Sequence, residues 1–169
     1  MALFNWANQR KEPIPVFAEM GSVNPVFLFN EKLSSDVDGI AKMYAESITL
    51  GVGQFCTNPG IIVGLEGEAL QKFTQSLGEK MAAIQVGNML HPGIAEAYQQ
   101  KSEKALSQGQ TKNISNTKAP HPILASVSAK TFLSNPVLHQ EVFGPFSLVV
   151  SCQDISEMKT VAKAVEGQL

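Results

Sequence analysis

Apolar residues fall into two patterns along this chain, and the two patterns predict different elements. Short continuous runs rich in β-branched and aromatic residues are typical of buried strands, and they predict strands at Val16–Ala18, Pro25–Phe29, Gly60–Leu65, Ile123–Val127 and Ser147–Cys152. Longer stretches with helical spacing predict helices at Ala2–Gln9, Ser35–Ile48, Glu68–Ala83, Ile94–Ser107 and Ile155–Val165. Strands that alternate with helices favour an α/β fold, with a mostly parallel sheet flanked by helices.

Composition and charge narrow the class of function. The chain has 169 residues and a formal net charge of −2, with no basic block. Because nucleic-acid-binding proteins concentrate Lys and Arg on one surface, we expect no nucleic-acid partner. The apolar runs are too short to span a bilayer, so we expect no membrane partner. Two cysteines cannot form a disulfide framework, and no Cys/His cluster has zinc spacing, which predicts a cytoplasmic protein without a metal site.

Cys56 lies on a glycine-flanked connection between a predicted helix and a predicted buried strand. A thiol in this position is open to approach, and a nucleophilic cysteine needs both approachability and a lowered pKa. Cys152, by contrast, ends an apolar strand. Considered alone, a single cysteine is more often a small core residue, so both interpretations of Cys56 stay open at this point.

Glu19 directly follows the predicted strand Val16–Ala18. In open α/β sheets, binding and catalytic sites collect at the carboxyl ends of the strands, where a carboxylate can serve as a general base. The alternative for an isolated glutamate is a solvated or ion-paired turn residue. Neither interpretation is excluded by the residue alone.

Three short segments together resemble the signatures of the aldehyde dehydrogenase superfamily. Residues 19–25, EMGSVNP, resemble the glutamate signature E-L-G-G-K-x-P, and residues 53–56, GQFC, resemble the cysteine signature G-Q-x-C. Residues 141–145, EVFGP, match the third signature, E-x-F-G-P. The segments occur in the family's order, with its usual spacing between Glu19 and Cys56. Val23 departs from the pattern, since many members carry lysine there.

These segments, together with residues 88–94 (NMLHPGI), are similar to one branch of that family. The branch comprises the α-ketoglutaric semialdehyde (2,5-dioxopentanoate) dehydrogenases and their NADP-dependent fatty-aldehyde relatives. The resemblance implies oxidation of an aldehyde, with 2,5-dioxopentanoate as the first candidate, to a carboxylic acid. Two alternatives stay open: a long-chain aliphatic aldehyde as substrate, and a non-catalytic binding module with this fold. A pseudoenzyme would be expected to lose Cys56 or Glu19 first, and both are present.

The resemblance also implies roles for four residues. Cys56 would attack the aldehyde carbonyl to give a thiohemiacetal, and hydride transfer to NADP or NAD would leave a thioester. Glu19 would activate Cys56 and then the water that hydrolyses the thioester. Glu141 would hydrogen-bond the nicotinamide ribose hydroxyls, and Phe143 would pack beside the nicotinamide ring. Ordinary core packing is the alternative for Phe143.

Comparison with the family predicts that the chain is a piece of a longer enzyme. Residues 1–21 are expected to be the tail end of the cofactor-binding domain, and residues 22–169 an incomplete catalytic domain that bears the cysteine. The sequence contains no G-x-G-x-x-G phosphate turn, so NADP or NAD would be bound mainly by a domain outside this chain. We therefore expect the isolated chain to be inactive as a dehydrogenase and its parent to be a homo-oligomer.

Overall fold

Helices and strands alternate along the chain in the computed structural model, which describes residues 2–85 and 87–165. The helices are α1 (Ala2–Asn8), α2 (Asn30–Ser35), α3 (Val37–Thr49), α4 (Glu68–Ala83), α5 (Pro92–Leu106), α6 (Ala129–Ser134) and α7 (Ile155–Ala164). The strands are β1 (Pro25–Leu28), β2 (Ile61–Leu65), β3 (Lys112–Asn113), β4 (Ile123–Ser128) and β5 (Phe146–Cys152). Short 3-10 turns follow α3 at Leu50–Gly53 and α6 at Pro136–His139.

Within the described residues the strands form one sheet in the order β1-β2-β5-β4-β3. Strands β1, β2, β5 and β4 are parallel, and the short β3 is antiparallel to β4. The register pairs Val26 with Ile62 and Ile62 with Val149, so apolar residues of three strands stand in one row. Strand β5, the last in sequence order among the described residues, lies at the centre of the sheet.

The apolar core consists of two layers, one on each face of the sheet. Successive side chains of a strand point to opposite faces. On one face, Ile62 and Val149 pack with buried residues of α2, α3 and α4. On the other face, Val63 and Val150 pack with buried residues of α5, α6 and α7. Because both faces are covered, the central strands are continuous apolar runs, and the predicted α/β fold with a mostly parallel sheet is confirmed.

The predicted strand at Val16–Ala18 is wrong. Residues 13–24 contain no helix or strand, and the side chain of Phe17 is 95% exposed. A strand needs a neighbour to satisfy its backbone hydrogen bonds, and none of the described residues pairs with this segment. A run of three apolar residues is too short to reveal whether such a neighbour exists. Residues 108–119 are largely irregular but contain β3, which pairs with β4.

The first twenty residues carry much of the exposed apolar surface. Leu3, Trp6, Phe17 and Met20 are 74%, 65%, 95% and 72% exposed, whereas Ala7 is buried. Large apolar side chains are usually covered by other parts of the protein or by a partner. No helix in the described ranges is both long and apolar enough to cross a membrane.

Candidate active site

Helix α3 ends at Thr49, and a short connection joins it to Cys56. The 3-10 turn at Leu50–Gly53 follows the helix, and within it Gly51, Val52 and Gly53 have φ angles of 55°, 60° and 67°. This left-handed conformation suits glycine and is strained for a β-branched residue such as Val52. The consecutive left-handed residues turn the chain off the helix axis, so that Cys56 does not continue the helix.

Cys56 occupies the tip of a β-turn. The carbonyl of Phe55 accepts a hydrogen bond from the Asn58 N–H at 3.1 Å, which makes Cys56 and Thr57 the central residues of the turn. Cys56 is exposed, as its glycine-flanked position predicted. No group among the described residues accepts a hydrogen bond from the Cys56 N–H. The thiol and this backbone donor are therefore both available to a substrate.

Residues 141–145 pack directly against this turn. A Cβ atom at Gly53 would overlap the backbone of Gly144 and Pro145, so only glycine permits the observed approach. The Asn58 side chain adds a hydrogen bond, since its Nδ2 donates to the carbonyl of Gly144 at 2.9 Å. Two of the three signature segments, far apart in the sequence, are thus in backbone contact.

The segment that follows Glu19 contacts the same turn from another side. The Nδ2 of Asn24 donates to the carbonyl of Thr57 at 2.5 Å. The Gly60 N–H donates to the carbonyl of Val23 at 3.0 Å, one residue before β2 begins. The cysteine turn is therefore held between the glutamate segment and residues 141–145.

A cleft of about 390 Å³ opens where the three segments meet. Its lining consists of Glu19, Met20, Gly21, Ser22, Cys56, Glu141 and Phe143. All four residues singled out from the sequence are in this set. Glu19 and Cys56 are exposed, and Glu141 and Phe143 are half-buried. The thiol and the carboxylate on which the enzymatic interpretation depends line one opening, and their catalytic roles stay predictions.

The carboxylate of Glu141 lies against the backbone of the glutamate segment. A Cβ atom at Gly21 would be 3.6 Å from Glu141 Oε2, and the Ser22 backbone N–H donates a hydrogen bond to the carboxylate. Burial raises the pKa of Glu141, and repulsion from Glu19 adds to the rise, while the Ser22 hydrogen bond and Lys101 oppose it. A carboxylate held this way is an oriented acceptor at the edge of the cleft.

The raised pKa of Glu141 has a consequence for stability. The folded state keeps the proton to a higher pH than the unfolded state, so stability falls as the pH rises from the unfolded to the folded pKa. The variant Glu141→Gln removes the buried charge and keeps an oxygen for the Ser22 N–H. We expect its Tm to exceed that of the parent chain at pH 7, with the difference closing near pH 4.

Thermal unfolding followed by circular dichroism at both pH values checks this expectation. Glu12→Gln is the matched control, because Glu12 is exposed in an irregular segment, and it should change Tm little at either pH. A lower Tm for Glu141→Gln at pH 7 would show that the carboxylate stabilises the fold as an ion.

The second thiol has the opposite environment. Cys152 is 0% exposed in the core, at the end of β5. Burial, together with the nearby carboxylates Glu157 and Asp154, raises its pKa to about 11. Because reaction requires an accessible thiolate, Cys152 is an inert core residue and serves as an internal reference for Cys56.

Two residues of the site, Asn24 and Asn58, were not identified from the sequence. Each of them directly precedes a proline in a glycine-containing segment. A polar side chain before proline, where the backbone is restricted, is a signal that could have marked them.

Comparison with known proteins places the chain in a family. Residues 6–168 match the aldehyde dehydrogenase family, and the chain belongs to that family. It is 42% identical over 175 residues to "Alpha-ketoglutaric semialdehyde dehydrogenase 2" of Azospirillum brasilense and 37% identical over 176 residues to "Alpha-ketoglutaric semialdehyde dehydrogenase" of Acinetobacter baylyi. Both matches cover 100% of this chain but 33% and 34% of the relatives, so the chain spans about a third of their length.

Solved structures agree on the fold. An NAD-dependent benzaldehyde dehydrogenase from Corynebacterium glutamicum superposes with a TM-score of 0.72 at 20% identity, over 96% of this chain and 36% of that one. Lactaldehyde dehydrogenase from Escherichia coli gives a TM-score of 0.63 at 19% identity, over 87% of this chain and 38% of that one. At these identities the similarity concerns the fold.

Proposed function

We propose that this chain supplies the catalytic cysteine and glutamate of an NAD(P)-dependent aldehyde dehydrogenase that converts an aldehyde to a carboxylic acid. One observation carries the proposal: exposed Cys56 and Glu19 line a single cleft together with Glu141 and Phe143. The chain spans about a third of the relatives' length, and the activity is proposed for the whole protein.

The first step is nucleophilic addition by Cys56. Its thiolate sulfur forms a bond to the aldehyde carbon, and the carbonyl π electrons move to oxygen, giving a tetrahedral thiohemiacetal. The Cys56 N–H, for which no acceptor is found among the described residues, would donate to that oxygen. Removing one donor of this kind typically lowers the reaction rate about 10²–10³-fold. A turn that presents the N–H beside its own thiol would therefore speed the addition step considerably.

Glu19 serves the proton transfers in this proposal. It accepts the thiol proton before addition, releases that proton to solvent, and later accepts a proton from the water that attacks the thioester. That attack breaks the carbon–sulfur bond, releases the carboxylic acid and restores the thiol. An exposed carboxylate in the same cleft has the solvent access that the second transfer requires.

Glu141 and Phe143 fit the nicotinamide half of a dinucleotide. NAD(P), when bound there, would supply the hydride acceptor for oxidation of the thiohemiacetal to the thioester. The Glu141 carboxylate is half-buried and accepts a hydrogen bond from the Ser22 N–H, which suits an acceptor for two ribose hydroxyls. The half-buried ring of Phe143 offers a flat apolar surface beside it.

We propose 2,5-dioxopentanoate as the aldehyde. The support is the similarity to relatives named for α-ketoglutaric semialdehyde, which extends over the whole of this chain. Assembly with a further domain and with other subunits is part of the same proposal, supported by the exposed apolar side chains of residues 2–20. The two unpaired thiols support a reducing compartment such as the cytoplasm.

Limited alkylation tests the site assignment. With a small excess of iodoacetamide at pH 7.5, we expect Cys56 to be labelled at least about 100-fold faster than Cys152, because a buried thiol reacts only when the structure opens. Peptide mass spectrometry reports both positions in one sample. If Cys152 is labelled first, the assignment of Cys56 as the reactive thiol is wrong.

A further inference from the structure

We propose that Asn24 and Asn58 are positioning residues that fix the cysteine turn, so that the Cys56 thiol and the Cys56 N–H address the same carbonyl group. The inference rests on the proposed function, because it concerns the geometry of the same nucleophile. The two asparagines act from opposite sides, one from the glutamate segment and the other toward residues 141–145.

Asn58 both closes the cysteine turn and attaches it to the backbone of residues 141–145. Its backbone N–H donates to the carbonyl of Phe55 at 3.1 Å, and its Nδ2 donates to the carbonyl of Gly144 at 2.9 Å. The Gly144 carbonyl already accepts from the Phe146 N–H at 2.8 Å, so it does not need the side chain to be satisfied. The Asn58 side chain therefore serves the turn and is not required by its acceptor.

The other atom of this amide argues against a purely structural role. Asn58 Oδ1 is buried and has no hydrogen-bond partner among the described residues. A buried acceptor that is left unsatisfied offsets much of the stability that the Nδ2 bond contributes. Asn58 thus adds little to folding in total, while it fixes the distance between the cysteine turn and the backbone of residues 141–145.

Asn24 provides the second attachment. Its Nδ2 donates to the carbonyl of Thr57, the turn residue next to Cys56, at 2.5 Å. Its backbone φ is 37°, a conformation that asparagine tolerates better than most residues. Thr57 is held by one segment and Asn58 by the other, so the two hydrogen bonds together oppose rotation of the turn about its two ends.

The chemistry gives a way to separate positioning from mere folding. Addition to a carbonyl group requires the thiolate at the carbon and a donor at the developing oxyanion in the same encounter. Alkylation by iodoacetamide displaces iodide from a saturated carbon and develops no oxyanion. A loosened turn should therefore slow acylation of Cys56 far more than it slows alkylation.

The experiment compares the two reactions in the 169-residue chain. With p-nitrophenyl acetate, the Cys56 thiolate adds to the ester carbonyl, p-nitrophenolate leaves, and a thioester remains on sulfur. The variants are Asn58→Ala and Asn24→Gly, the latter because glycine keeps the positive φ. We expect each to lower the acylation rate about tenfold while the iodoacetamide rate stays within about threefold. Asn58→Ser is a second variant at the buried position.

Asn113→Ala is the matched control. Asn113 is part-buried and its Nδ2 donates to the backbone carbonyl of Thr117 at 2.7 Å, on β3 and outside the cleft. It should leave both rates unchanged. Equal loss of acylation and alkylation in the Asn24 and Asn58 variants, or no loss in either, overturns the positioning role. Acetyl found by mass spectrometry on Cys152 in the parent chain would instead count against the proposed function itself.

Discussion

Replacing Gly53 by alanine is expected to lower the Tm of the chain by about 10 °C and to displace the cysteine turn. Two costs add at this position. The φ of 67° lies in the left-handed region, where a non-glycine residue costs roughly 1–2 kcal/mol, and the new Cβ would overlap the backbone of Gly144 and Pro145. A total of about 3 kcal/mol corresponds to that shift in Tm for a chain of this size. Differential scanning calorimetry gives the value.

A glycine elsewhere in the chain provides the comparison. A Cβ atom at Gly109 would meet nothing within 4 Å, so Gly109→Ala should change Tm by no more than about 2 °C. Gly53→Ala should also slow acylation of Cys56, because the turn can no longer lie against residues 141–145. An unchanged Tm for Gly53→Ala would mean that the contact between the two segments is looser than the structure shows.

Replacing Cys56 by serine is expected to reduce acylation by p-nitrophenyl acetate roughly 10³-fold, with Tm changed little. A free cysteine is a few per cent thiolate at neutral pH, whereas a hydroxyl needs an adjacent base to become a comparable nucleophile. Cys56 is exposed at a turn tip, so the exchange removes no core packing. The burst of p-nitrophenolate, measured by absorbance, reports the rate.

The buried cysteine gives the converse result. Cys152→Ala removes a core side chain that is 0% exposed, so Tm should fall while acylation of Cys56 persists. The two substitutions thus separate loss of the nucleophile from loss of stability. If Cys56→Ser kept the burst, another group would be the nucleophile and the proposed mechanism would be wrong.

The elements inside the sheet could be predicted from the sequence because local pattern and burial agree there. Helix α4 has the predicted bounds, Glu68–Ala83, and β2 and β5 lie within one residue of the predicted strands. Both strands are buried on both faces, which produces the unbroken apolar runs that identify them. Val16–Ala18 has a similar composition without a partner strand in the described residues, and composition does not encode a partner.

The residues of the candidate site could be predicted from the sequence, but the contacts that hold them together could not. Glu19, Cys56, Glu141 and Phe143 were predicted from the three signatures, and the structure brings them to one cleft. The sequence predicted that Glu19 follows a strand, and this was wrong, because residues 13–24 form neither helix nor strand. What links the segments is a set of backbone contacts and amide hydrogen bonds, and these depend on tertiary geometry that no local pattern specifies.

Because β5 lies at the centre of the sheet, the inner strand pairings cannot form until this strand has been synthesised. β5 pairs with β2 on one side and with β4 on the other, so neither strand has this neighbour until residues 146–152 have left the ribosome. Residues 141–145 directly precede β5 and gain their place with it. Until then the nascent chain presents Cys56 without the contacts of residues 141–145, which arrive together with β5.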